Sequence, residues 1–88
     1  MTPTRKALEV YGLDAQIIKL SEECGELLSA VSKCRSGRDT ADHVAEEMAD
    51  VLVMMDQMQI AFGITEKTVF DYVEKKLERL EKRLADCD

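Results

Sequence analysis

Apolar residues recur along the chain at alternating intervals of four and three positions, the spacing of one face of an α-helix. The first such set consists of Leu13, Ile17, Leu20, Cys24, Leu27, Val31 and Cys34. The second consists of Val44, Met48, Val51, Met55, Met58 and Phe62. The third consists of Phe70, Val73, Leu77, Leu80, Leu84 and Cys87. The pattern predicts three long amphipathic helices that pack at shallow angles.

Capping residues and glycines indicate where these helices begin and end. A short opening helix is expected at 4–11, capped by Thr2 or Thr4, because Pro3 is tolerated in a first turn. The second helix should run from about 13 to 35 and the third from about 40 to 62. The remaining boundary signals are Gly37 in the connecting turn, Asp39 or Thr40 and then Thr65 or Thr68 as caps, and Gly63 as a stop.

The third helix carries apolar residues on more than its main stripe. The additional positions are Ala45, Ala49, Leu52, Val53 and Ile60. A helix that is apolar nearly all round is buried on several sides, and one chain of 88 residues supplies too few helices to do this. The short turn should make the second and third helices antiparallel. We therefore expect one all-α domain over residues 1–88, an antiparallel bundle of three long helices plus a short N-terminal helix, completed by oligomerisation.

Composition and charge narrow the possible partners and the compartment. The chain is 45% apolar and 34% charged, with a net charge of −6. That charge opposes binding to nucleic acid or to an anionic membrane, so we expect neither partner. No signal peptide or membrane-length apolar run is visible, and the three cysteines lack zinc-site spacing. Cys24 and Cys34 fall on the apolar stripe as small hydrophobes, and the expected location is the cytoplasm.

Two pairs of acidic residues occupy matching flanks of the second and third helices. Glu23 and Glu26 lie about 70° and about 130° from the centre of their stripe, and Glu47 and Asp50 lie about 60° and about 120° from theirs. Both pairs are also similarly distant from the turn. Antiparallel helices open equal flanks into one groove, so the four carboxylates are expected to converge at the edge of the core.

A convergence of four carboxylates predicts a divalent metal, because so many negative charges are costly without a cation. Mg²⁺ prefers carboxylate oxygens and water, and leaves positions for substrate phosphates. No histidine or cysteine joins the group, which argues against zinc, and the single His43 cannot supply a di-iron motif twice. With 18 acidic residues in the chain, either pair alone is readily explained as a solvated face. The two pairs on matching flanks favour a metal site.

The segments 22–27 (EECGEL) and 46–52 (EEMADVL) resemble the MazG-like nucleoside triphosphate pyrophosphohydrolases, which carry an E-x-x-E motif followed by E-x-x-D. The resemblance extends through 16–20 and 75–80. It implies an all-α fold, assembled as a homodimer or homotetramer, and Mg²⁺-dependent cleavage of (deoxy)nucleoside triphosphates to monophosphate and pyrophosphate. It also implies that the metal ligands are Glu23, Glu26, Glu47 and Asp50, with Mn²⁺ as a possible substitute. The phosphoribosyl-ATP pyrophosphohydrolases differ, since a histidine expected after the second motif is replaced by Met54, Met55 and Asp56.

The chemistry of such a reaction and the helix positions of the residues suggest further roles. Glu26 or Glu47 is the candidate to accept the proton of an attacking water. Candidate substrate-binding residues are Gln16, Lys33, Lys76 and Arg79. Each of these four is also explained by an ordinary position at the core edge or on a solvated helix face. The alternative to an enzyme is a non-catalytic helical oligomer that binds nucleotide or a protein partner.

Overall fold

Four helices account for nearly all of residues 2–87, the residues that the computed structural model describes. They are α1 (Pro3–Tyr11), α2 (Leu13–Arg35), α3 (Ala41–Phe62) and α4 (Glu66–Asp86). Residues 2–87 contain no strand, so the all-helical prediction is confirmed. None of the four helices is long and apolar enough to span a membrane.

Threonine side chains cap three of the helices. Each threonine hydroxyl accepts a hydrogen bond from the backbone N–H three residues later, in the pairs Thr2–Arg5, Thr40–His43 and Thr65–Thr68. Such a bond satisfies one of the N–H groups that the first helical turn leaves free. At the other end of α3, Gly63 adopts the left-handed conformation with φ 65°, which a glycine reaches without steric cost. The predicted boundaries are therefore confirmed to within one or two residues.

The core of the chain lies between α2 and α3, and α1 packs against both. The buried residues are Gln16, Glu23 and Ala30 on α2, and Glu47, Met54 and Gln57 on α3. These positions repeat at intervals of seven or three, so each helix presents one continuous strip to the other.

The strip that each helix buries is displaced by one residue from the predicted stripe. The predicted core positions that are instead exposed are Ile17, Cys24, Val31, Met48, Met55 and Phe62. The prediction was wrong for these six positions, and Cys24 is not a buried small hydrophobe. Four of the six buried residues are polar or charged, so the apolar periodicity of the sequence does not mark the face that meets the neighbouring helix. The same rotation brings the acidic residues Glu23 and Glu47 into the contact between α2 and α3.

Helix α4 makes no substantial contact with the other three helices. Its apolar face comprises Phe70, Val73, Leu77, Leu80 and Leu84. These side chains are between 41% and 62% exposed, which leaves about half of their surface in contact with water. Within one chain, the third long helix therefore does not join the α2–α3 pair.

Candidate metal centre

Four carboxylates meet where α2 packs against α3. Glu23 and Glu26 come from α2, and Glu47 and Asp50 from α3. One carboxylate oxygen of each residue lies within 4.8 Å of those of the other three. The three-residue spacing within each pair places its two carboxylates on adjacent turns of one helix face. The structure thus brings the two sequence motifs together in one group, which we call the acid group.

Two members of the acid group are buried and two are exposed. Glu23 is only 6% exposed and Glu47 only 9% exposed, whereas Glu26 and Asp50 are open to solvent. The sequence placed all four at the edge of the core, and this is corrected for Glu23 and Glu47. The cause is the one-residue rotation of both helices, which moves these two side chains into the α2–α3 contact.

Each buried glutamate has one oxygen held by a basic side chain and one oxygen without a partner among the described residues. The Nζ atom of Lys19 lies 3.1 Å from Oε1 of Glu23, and Nε2 of His43 lies 3.1 Å from Oε1 of Glu47. Within residues 2–87, the buried Oε2 atoms of Glu23 and Glu47 have no hydrogen-bond partner. A buried carboxylate oxygen without a partner is costly. Two such oxygens in one group fit a site completed by a bound cation.

Repulsion within the acid group raises the pKa of Glu26. The largest cause is the negative charge of Glu23, followed by partial burial and by the charge of Glu47. The hydrogen bond to Glu23 raises the pKa of the Lys19 ammonium. Both directions reflect an excess of negative charge at one place, which a divalent cation offsets.

The donor atoms of the acid group indicate which cation suits it. All four donors are carboxylate oxygens, and the group includes no histidine nitrogen or cysteine sulfur. Hard oxygen donors favour Mg²⁺, Mn²⁺ or Ca²⁺ over zinc or copper. His43 contacts Glu47 but is not one of the grouped donors.

His43 is the contact that the sequence reasoning missed. Its Nδ1 atom lies 2.6 Å from Oδ2 of Asp39, whose Oδ1 accepts a hydrogen bond from the backbone N–H of Thr40 at 2.7 Å. The hydrogen bond with Asp39 raises the pKa of His43, and the same bond lowers the pKa of Asp39. His43 and Glu47 are spaced by four on α3, so they lie on one helix face, and Asp39 stands four residues before His43, just ahead of the cap Thr40. The spacing of four residues is the feature of the sequence from which the His43–Glu47 contact could have been predicted.

A cavity of about 500 Å³ is lined in part by Lys19, the side chain that contacts Glu23. It is lined by Tyr11, Ala15, Gln16, Ile18, Lys19, Glu22, Met54 and Gln57. Gln16 is only 8% exposed, and Gln57 is 3% exposed with its Oε1 atom buried and without a partner. The cavity is thus partly apolar and carries two side-chain amides, a composition that is common in small-molecule sites. Gln57 had not been singled out in the sequence.

The basic candidates divide between two places. Lys33 lines a smaller cleft of about 160 Å³ together with Glu26, Asp39, His43 and Glu47, so it lies beside the acid group. Lys76 and Arg79 instead line a separate cleft of about 200 Å³ with Arg83. All three residues of this basic cleft belong to α4, which does not pack against α2 or α3.

Comparison with known families matches most of the chain to one domain. A family model described as the MazG nucleotide pyrophosphohydrolase domain covers residues 13–85. The match includes both acidic motifs and most of α4. Neither a curated protein nor a solved structure was similar enough to match.

Proposed function

We propose, since the chain belongs to the MazG nucleotide pyrophosphohydrolase family, that it hydrolyses (deoxy)nucleoside triphosphates to monophosphate and pyrophosphate with the help of Mg²⁺. The observation that carries this proposal is the acid group, with its four oxygens within 4.8 Å and its two buried oxygens that lack partners. A solvated acidic face would not bury carboxylates in this way. We propose Glu23, Glu26, Glu47 and Asp50 as the ligands, with Mn²⁺ as a substitute metal.

The proposed reaction is an attack of water on the α-phosphorus. Mg²⁺ bound at the acid group supplies charge neutralisation of the triphosphate and a lowered pKa of water. The new bond joins the water oxygen to the α-phosphorus, and the bond from that phosphorus to the bridging oxygen breaks. Pyrophosphate leaves with the electron pair. The products are the nucleoside monophosphate and intact pyrophosphate.

Glu26 is the better candidate of the two glutamates proposed to accept the proton of the water. Its side chain is exposed and its pKa is raised by the charge of Glu23, so it is more basic than an ordinary carboxylate. Glu47 is buried, and one of its oxygens is already bonded to His43. We therefore assign the proton transfer to Glu26 and a ligand role to Glu47.

We assign the substrate contacts to two cavities, the smaller cleft that includes Glu26 and Glu47 and the larger cavity that includes Lys19. Lys33 lies in the smaller cleft, where its ammonium is placed to meet a phosphate. The larger cavity has room for a nucleobase, whose edge presents hydrogen-bond donors and acceptors that amides match. We assign Gln16 and Gln57 to that edge. Tyr11 and Met54 provide apolar or aromatic surface for the base.

Lys76 and Arg79 can contribute to substrate binding if the protein forms an oligomer. The apolar face of α4 and the outer apolar residues of α2 and α3 are exposed in one chain, which is a large area for a protein of this size. We propose that a homodimer or homotetramer covers these faces and completes the antiparallel bundle, with residues 1–88 as one domain. In that assembly the basic cleft of one copy serves the triphosphate site of another.

The proposal is tested by product analysis with a panel of nucleoside triphosphates in the presence of Mg²⁺. Release of pyrophosphate with a matching amount of monophosphate is the expected result. Release of orthophosphate with a diphosphate would contradict the proposed site of attack. Inactivity on every canonical and modified triphosphate would instead favour a nucleotide-binding or protein-binding oligomer.

A further inference from the structure

The two buried glutamates of the acid group are held in the same way. Lys19 stands four residues before Glu23 on α2, and His43 stands four residues before Glu47 on α3. The distance between nitrogen and Oε1 is 3.1 Å in both pairs. In both pairs the second oxygen, Oε2, is buried and free of hydrogen bonds. The two helices thus repeat one arrangement, in which one oxygen is anchored and the other is available.

The anchored oxygen limits how each glutamate binds a cation. A carboxylate that chelates a metal with both oxygens must first give up its hydrogen bond to the anchor. Ca²⁺ takes six to eight oxygens and often uses such two-oxygen binding, whereas Mg²⁺ takes six ligands at near-octahedral positions and uses single carboxylate oxygens and waters. A hydrogen bond from Lys19 or His43 to one carboxylate oxygen therefore disfavours the binding of Ca²⁺, the larger ion.

We propose that Lys19 and His43 are positioning residues that restrict Glu23 and Glu47 to binding through one oxygen each, and thereby select Mg²⁺ or Mn²⁺ over Ca²⁺. The inference rests on the proposed function, because it takes the acid group as the metal site. Neither residue is one of the four grouped metal-donor side chains. Each acts through the glutamate that it holds.

The two anchors differ in rigidity. His43 is itself held by Asp39 at 2.6 Å, and Asp39 is fixed in turn by the backbone N–H of Thr40. Lys19 has only its bond to Glu23 and a side chain that is 53% exposed, so its flexible stem loses more freedom when the pair forms. His43 therefore holds its glutamate more firmly than Lys19 does, and the loss of His43 should reduce metal affinity more.

The experiment measures Mn²⁺ and Ca²⁺ affinities of the full chain without nucleotide, by electron paramagnetic resonance of free Mn²⁺ and by calorimetry for Ca²⁺. His43→Ala removes one anchor, and Lys19→Met removes the other while keeping the stem. His43→Gln retains an N–H donor that reaches Glu47. Lys67→Met is the matched control, since it breaks an exposed pair of the same spacing, Lys67–Asp71 at 2.8 Å on α4.

His43→Ala is expected to weaken Mn²⁺ binding by about 10- to 100-fold, the usual effect of removing a group that orients a ligand. Ca²⁺ affinity should fall less, so the preference for Mn²⁺ narrows. His43→Gln should recover most of the loss, Lys19→Met should show a smaller loss, and Lys67→Met should match the parent. Helical circular dichroism in chelator confirms that each variant is folded.

Three results would overturn the inference. The first is parent-like affinity for both ions in His43→Ala and Lys19→Met. The second is an equal loss for Mn²⁺ and Ca²⁺, which indicates general damage to the site rather than a change in how the glutamates coordinate the ion. The third is a His43→Gln variant as weak as His43→Ala. A parent chain that binds no Mn²⁺ would be a different failure, because it removes the proposed metal function itself.

Discussion

Glu23 on α2 and Glu47 on α3 meet inside the contact between the two helices, and each keeps one buried oxygen without a hydrogen-bond partner. Two acidic side chains at a helix–helix contact oppose packing, because their charges repel and the desolvation of each is compensated at only one oxygen. A cation bound between them removes both costs. Metal binding and the packing of α2 against α3 are therefore coupled.

The coupling predicts that Mg²⁺ or Mn²⁺ raises the melting temperature, since a ligand that binds only the folded state stabilises it by mass action. Glu47→Gln should reduce this rise strongly, because it removes one ligand and one charge. Glu46→Gln is the matched control: Glu46 is adjacent, exposed and outside the acid group. Differential scanning fluorimetry with and without metal gives the comparison. Similar metal responses in the two variants would argue against the site.

The acid group also predicts how the melting temperature depends on pH. Acidification should stabilise the protein in chelator, and it should weaken the stabilisation that a bound metal provides. The raised pKa values of Glu26 and His43 contribute stability that is present at low pH and lost as pH rises through their folded values. The lowered pKa of Asp39 contributes stability that is lost only as pH falls below its ordinary value of 3.8. In chelator, the melting temperature should therefore rise from about pH 8 to about pH 5.

Mn²⁺ should raise the melting temperature above that of the protein in chelator, and this rise should become smaller as the pH falls from about 8 to about 5. Protons compete with the metal for the carboxylates, and Glu26 takes up a proton earlier than an ordinary glutamate. Thermal melts at matched ionic strength measure both curves. An increment that grows on acidification would contradict the assignment of Glu26 as a ligand.

The helices of this chain were predictable because local signals specify them. Thr40 caps α3 and Gly63 ends it through interactions within a few residues, which a sequence displays directly. The grouping of Glu23 with Glu47 could also be predicted, since helical periodicity and a short turn place both residues on the same side of the helix pair. These inferences need no knowledge of how side chains pack.

The rotation of α2 and α3 was not predictable, because four of the six side chains that it buries are polar or charged. Ile17 and Met48 continue the apolar stripes, and only the packing of the whole chain turns them outward. The contact of His43 with Glu47 was missed for a different reason. A histidine considered alone as a metal ligand gave no sign of a role in holding another residue.

The buried amide of Gln57 predicts a trade-off between stability and substrate binding. Gln57→Met keeps the length of the side chain and removes a buried oxygen that has no partner. The free energy of unfolding should rise by about 1 kcal/mol. The KM for triphosphates should also rise, because a contact to the base is lost. Chemical denaturation and steady-state kinetics test the two effects, and an unchanged KM for every triphosphate would remove Gln57 from the base site.

The exposed face of α4 predicts that a single charge disrupts the oligomer. Leu77 is more than half exposed in one chain, so Leu77→Glu should cost an isolated chain little. In an assembly it buries a charge against apolar surface and should lower the mass measured by light scattering at micromolar concentration. Glu81→Gln, an exposed substitution on the same helix, is the control. A parent chain that is already monomeric would contradict the proposed assembly.

Asp50→Asn separates catalysis from folding most directly. Asp50 is exposed and changes little in volume, so the variant should keep its helical content and its melting temperature in chelator. The charge lost from the acid group should nevertheless lower the hydrolysis rate by about 100-fold or more, equivalent to about 2.7 kcal/mol of transition-state stabilisation. Asp56→Asn makes the same substitution at an exposed position of α3 outside the acid group, and should retain the parent rate. Pyrophosphate release under saturating Mg²⁺ measures all three proteins. If folded Asp50→Asn and Asp56→Asn both hydrolysed triphosphates as fast as the parent, the acid group would have no part in the chemistry.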